Sequence, residues 1–115
     1  MQIVKSDTIH QVQEDSSTII WEYPTNDKDI NGAVAKINGR NPEKGFFVNA
    51  FKELAFVLSG NGFIVTRKER KEIDVGDEVL INKNEKYAWE GTMTLFIATT
   101  PKFDPKKHII SETNK

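Results

Sequence analysis

At 115 residues the chain holds one domain's worth of sequence, long enough to bury a single core without a metal or disulfide staple. It contains no cysteine, which excludes a disulfide framework, a thiolate zinc site and a cysteine nucleophile and suits a reducing, cytoplasmic setting. Sixteen basic against seventeen acidic residues, a net charge of −1, leave no excess to hold a phosphate backbone, and no apolar run approaches membrane-spanning length, so neither nucleic acid nor membrane is an expected partner.

In chain order, the first 17 residues, MQIVKSDTIHQVQEDSS, are polar where a signal peptide needs an apolar stretch. Ser6 is placed to cap a short N-terminal turn. From there apolar and polar residues alternate, or β-branched and aromatic residues run together briefly, which is the pattern of an all-β chain. Strands are expected over 17–23, 32–38, 45–51, 53–59, 62–67, 71–75, 77–82, 86–91 and 94–100, separated by breakers such as NPEKG, SGNG, VGD, NKNE and EGT. The densest charge cluster, RKERKE at 67–72, mixes both signs between two strand segments and reads as a solvated hairpin tip. The tail beyond residue 100 carries two prolines, turns polar, and is expected to lie over the surface and fray. About nine short strands in this length suit a sandwich or small barrel.

Two stretches resemble the paired motifs of the cupin superfamily, whose fold is a double-stranded β-helix, or jelly-roll barrel. ELAFVLSG carries the glutamate-to-glycine spacing of the first motif in Glu53 and Gly60, and counting back places its two histidine positions at Phe47 and Asn49. GDEVLINKNEKYAWEG fits the second motif from Gly76, with Tyr87 at its histidine and Gly91 at its asparagine. The resemblance implies an N-terminal edge extension over 1–32, a barrel core over 33–100 and a tail over 101–115. It also implies that Phe47, Asn49, Glu53 and Tyr87 stand where metal cupins hold their ion. Phenylalanine has no lone pair, and an amide and a neutral phenol are poor ligands for a divalent transition metal, so no metal and no cofactor are expected. The two histidines, His10 and His108, lie outside both motifs; a metal would need a group such as His108 folded over the barrel mouth.

Strand alternation puts Phe47, Asn49, Phe51 and Glu53 on one face, and Tyr87 with Trp89 on another inward face. Two arrangements fit these residues. In one, Phe47, Phe51 and Trp89 fill the barrel, and Glu53 is a remnant held by Tyr87, Asn49 or a basic residue such as Arg40. In the other, Phe47, Asn49, Phe51, Glu53, Tyr87 and Trp89 wall a small ligand pocket in which Glu53 accepts hydrogen bonds from a polyol or amine, or acts as a base. Trp21 and Tyr23 either pack or stack at the pocket rim. The expected function is a metal-free module that binds or senses a small molecule, such as a carbohydrate or polar metabolite. The alternative is a metal-independent sugar isomerase or epimerase with Glu53 as base and Tyr87 as acid. Strands 17–23 and 94–100 are apolar on both faces, more than one small barrel can bury, so a homodimer is expected.

Overall fold

The structure, a computed structural model, describes residues 1–111. Its strands are β1 (His10–Gln13), β2 (Thr18–Tyr23), β3 (Asn31–Asn41), β4 (Phe46–Asn49), β5 (Lys52–Val65), β6 (Arg70–Asp74), β7 (Glu78–Ile81), β8 (Lys86–Thr100) and β9 (His108–Ser111). Two 3-10 turns, Ser6–Thr8 and Pro105–Lys107, complete the secondary structure, and among the described residues no helix is long and apolar enough to cross a membrane. Ser6 begins its turn rather than capping it: Lys5 is the N-cap residue, with no side-chain cap bond. Every pairing is antiparallel. The sheet runs β1-β2-β3-β8 and branches at β8, which also pairs with β4 and β5; β5 in turn carries β6 and β7, and β9 adds to β4. The tail is thus tied into the sheet by β9 as far as Ser111, and the fraying expected of its polar end falls on 112–115, outside the described residues.

The breakers SGNG and EGT do not turn the chain. The segments on either side of each merge into one long strand, β5 through Gly60 and Gly62, and β8 through Gly91. Across the sheet Gly39 pairs with Gly91, and Gly91 with Gly62, a row of three residues without side chains. A Cβ on Gly62 would stand 2.1 Å from the Glu90 carbonyl oxygen, and one on Gly91, where φ is +130°, would stand 2.5 Å from the Gly62 Cα. Glycine at these positions lets two backbones approach where β5 and β8 cross, which composition alone cannot tell from a turn. The hairpin expected at RKERKE does form. β5 and β6 are joined by a turn in which Thr66 N–H donates to the Glu69 carbonyl, and Arg70 stacks on Phe63 and pairs with Glu90 at 2.8 Å.

Alternation along β5 sends Glu53, Ala55 and Val57 inward and Lys52, Leu54 and Phe56 outward. Of the inward set, Ala55 and Val57 join Ile37, Phe47, Ile73, Ile81, Tyr87, Trp89, Met93 and Leu95 in one core; burying a large apolar side chain of this kind is worth about 1.5–3 kcal/mol. The outward set leaves an apolar strip in which Leu54 pairs with Leu80 and Phe56 with Phe96, all of them exposed. Trp21 and Tyr23 lie with Val34 on this opposite side of the sheet, among Ser6, Ile9 and Gln11, and not at the rim of the interior.

Candidate functional site

The four positions that the cupin motifs single out converge in the interior. Asn49 Nδ2 donates to Tyr87 Oη at 2.9 Å and to Glu53 Oε1 at 3.4 Å, and Tyr87 Oη donates to the same Glu53 oxygen at 3.3 Å. The Phe47 ring packs 5.7 Å from that of Tyr87. Glu53 faces inward because β5 alternates, and its cross-strand partners are Thr99 on β8 and Ile81 on β7. Arg40 does not reach it: its guanidinium bonds the Pro42 carbonyl, lies 3.6 Å from Glu90 and covers the Phe46 ring.

Beside this network is a cavity of about 80 Å3, room for several waters, so the interior is not filled. Phe47, Glu53, Tyr87 and Trp89 line it. Asn49 and Phe51 do not: Asn49 works from behind, holding Tyr87 and Glu53, and Phe51 packs edge-on against Phe103 at 5.5 Å. The strand they were expected to share breaks between Asn49 and Lys52, which removes Phe51 from the inner wall.

Besides Glu22, Asn31 and Thr99, three further polar groups that the sequence reading did not place in the pocket line it. His108, on β9, sits with its ring 4.2 Å from Phe47, and its Nδ1 is 2.6 Å from Asn49 Oδ1. An amide oxygen only accepts, so Nδ1 carries the proton and Nε2 keeps its lone pair. Burial lowers the His108 pKa to about 4, so the ring is neutral. Glu14, in the bend between β1 and β2, is the second group. Asn41, the third, donates from its amide to Glu14 Oε1 at 3.1 Å and to Asp15 Oδ2 at 3.0 Å. Nothing in the polar stretch QVQEDSS marks Glu14 out, because the bend that swings it inward is set by tertiary contacts. The tail adds Phe103 to the lining of the site. Asn31 Oδ1 accepts from Thr99 Oγ1 and from the Phe103 backbone N–H, which brings Phe103 to the cavity.

Burial drives the electrostatics. It pushes the Glu53 carboxyl up to about 7, and the nearby Glu14 charge adds to the rise against the lowering effect of the Tyr87 and Asn49 hydrogen bonds. Glu14 is pushed up to about 7 as well, by burial and then by Asp15. Tyr87 is raised well above the usual phenol value, first by burial and then by Glu53. As a metal site the motif positions offer one carboxylate beside an amide, a phenol that already donates its proton, and a phenyl ring. That donor set does not fit a divalent transition metal, and among the described residues no three His, Cys, Asp or Glu side chains are grouped to hold one.

No family model and no curated protein matches the chain. Its shape does find relatives: a cupin-2 domain from Rhodospirillum rubrum superposes with a TM-score of 0.72 at 10% identity, over 96% of this chain and 80% of that one. The protein has the cupin fold. Other cupin-fold neighbours are similar in shape too. The Streptomyces nucleoside dehydratase Pac13 gives a TM-score of 0.83 at 14% identity, over 99% of this chain and 95% of that one. A Pac13 variant with uridine gives 0.85 at 13% identity, over 96% and 91%. The polyketide cyclase RemF of Streptomyces resistomycificus gives 0.71 at 16% identity, over 91% and 82%. At these identities the likeness establishes the fold, and function has to be argued from the site.

Proposed function

We propose that this cupin-fold protein is a metal-independent small-molecule binder whose ligand occupies the cavity between Phe47, Glu53, Tyr87, Trp89 and His108. One observation carries the reading. Glu53 is only 5% exposed, both its hydrogen bonds fall on Oε1, and no buried side-chain oxygen or nitrogen among the described residues lacks a partner, so Oε2 opens onto the cavity. A desolvated carboxyl oxygen pointed into an aromatic-walled space is costly to keep without a use. The walls offer mainly acceptors, which suits a polar organic molecule rich in N–H or O–H donors, and cupin-fold neighbours named as a nucleoside dehydratase and a polyketide cyclase support an organic ligand. The test is titration of the full chain with nucleosides, polyols, amines and hydroxy acids, followed through the NMR signals of the Trp89 indole and the His108 ring. The expected result is saturable shifts with at least one class; silence of both rings towards every class at ~50 mM, a concentration that would still reveal binding weaker than millimolar, would refute the proposal.

A second reading is favoured by the two carboxyls near 7. A group poised at neutrality serves as both acid and base, so the pair could run an isomerisation, epimerisation or dehydration, with ionised Glu53 taking a proton and protonated Glu14 giving one. Tyr87 is ill suited to the acid role, since its proton is committed to Glu53 and its pKa is raised. Turnover with a bell-shaped pH profile whose two limbs belong to the pair would establish this reading over simple binding.

The same proposal includes a cytoplasmic homodimer formed through the outer strip of Leu54, Phe56, Leu58, Leu80 and Phe96, each at least 40% exposed.

A further inference from the structure

The charge of the cavity wall is one-sided. Three carboxyl groups line it, Glu14, Glu22 and Glu53, and among the described residues no lysine or arginine does. The cations closest in sequence are turned away: Lys52 projects outward from β5, and Arg40 is engaged by Glu90, Pro42 and Phe46. The imidazole supplies no positive charge either, since Asn49 fixes it as the Nδ1–H tautomer with a bare Nε2. Around these acceptors stand the rings of Phe47, Tyr87, Trp89 and Phe103, whose faces attract a cation.

We propose that the ligand of this cavity carries a positive charge, a small protonated amine held by Glu14, Glu53 and His108 Nε2 inside the ring of aromatic side chains. The proposal rests on the cavity being the ligand site and adds the ligand's class. Three acceptors meet the three protons of a primary ammonium: the open oxygen of Glu53, the carboxylate of Glu14, and Nε2. An anionic ligand, a phosphate ester or a carboxylic acid, meets three carboxyls and no counter-ion, and is disfavoured increasingly as they ionise.

The amine takes over the work of a proton. Without ligand, Glu14 and Glu53 keep protons to pH 7 because burial disfavours their charged forms, with Asp15 adding to the rise at Glu14 and Glu14 to the rise at Glu53; an ammonium between them favours both ionised forms and displaces those protons. Four other titratable groups stand around the pair. His108 is already neutral above about 4, Tyr87 stays protonated, Asp15 is held by the Asn41 amide and Ser17, and Glu22 lies on the wall from β2.

The experiment uses three probes of one size on the full chain: 2-aminoethanol, ethylene glycol and glycolate, each titrated between pH 6 and pH 8 and read by NMR at Trp89 and His108. The amine, protonated throughout, is expected to bind in the millimolar range and to tighten about a hundredfold from pH 6 to pH 8, about tenfold for each of the two protons displaced from carboxyls titrating near 7. The diol should bind more weakly with no pH dependence, and glycolate not at all. Glu53→Gln should weaken the amine at least tenfold while changing the diol less than threefold. Ethylene glycol binding as tightly as the amine, glycolate binding at all, or an amine affinity that ignores pH would overturn the cationic class and leave the cavity as a ligand site. Silence of both rings towards all three probes would overturn the cationic class, and silence towards the nucleosides as well would overturn the cavity reading with it.

Discussion

Replacing Glu53 with glutamine tests whether this carboxyl is a desolvated acid. The glutamine side chain keeps an oxygen to accept from Asn49 and Tyr87, and presents its amide to the cavity where Oε2 now opens. In the fold Glu53 titrates near 7 against an ordinary value of 4.5. Because the folded-state value is the higher one, the protonated carboxyl favours the fold; that stabilisation is complete below pH 4.5 and is lost as pH climbs through 7. At about 1.36 kcal/mol per unit, the full loss is on the order of 3 kcal/mol, most of it gone by pH 7 and under about 1 kcal/mol of it by pH 5. Glutamine has no such loss, so the variant should gain about 2 kcal/mol on the wild type between pH 5 and pH 7. In a domain of this size that is about 8 °C in Tm. Thermal melts of both proteins at half-unit intervals from pH 5 to pH 8 provide the assay. A constant gap across that range, or a variant less stable than wild type at pH 7, would show that Glu53 is ionised and paired in the fold, and the electrostatic account of the site would fail.

Further outcomes follow from the same geometry. Elemental analysis of protein purified without chelator should find far less than one iron, zinc, manganese, nickel or copper per chain; near-equimolar metal would mean that the donor set has been misjudged. Light scattering at tens of micromolar should give twice the 13.1 kDa chain mass, and Phe56→Lys should return it to the monomer; a wild-type monomer would remove the dimer. Gly62→Ala should destabilise by about 3 kcal/mol or more, because its methyl would press on the Glu90 carbonyl and not on a side chain able to move; a Tm within about 2 °C of wild type would contradict the close crossing.

The fold was legible because its signals are local and repeated. Alternation within 53–59 marks the inward face of β5, and two motifs of fixed spacing place Phe47, Asn49, Glu53 and Tyr87, which do meet in the interior. What local signals could not show is how segments far apart in the chain close on one another. Gly60, Gly62 and Gly91 carry the same composition whether they turn a chain or let two strands cross. Glu14 and His108 reach the cavity from opposite ends of the chain, one through a bend in a polar stretch and the other through a strand that adds to β4. His108 could be named as a group able to fold over the mouth; its neutral ring and fixed tautomer depend on Asn49, 59 positions away.

The crossing at Gly91 also decides how the cavity can respond to a ligand. Tyr87 and Trp89 stand before that glycine and Ile97 and Thr99 after it, so a single unbroken strand furnishes two parts of the same enclosure. Walls joined through one backbone, each hydrogen-bonded to its own neighbours, cannot swing apart as the halves of a cleft do. The enclosure is therefore set before any guest arrives, and little chain entropy is surrendered on binding. On the proposed ligand-site reading, selectivity would fall to half-buried lining side chains such as Ile20, Glu22, Asn31 and Phe103, where an exchange leaves the strand that frames the space undisturbed.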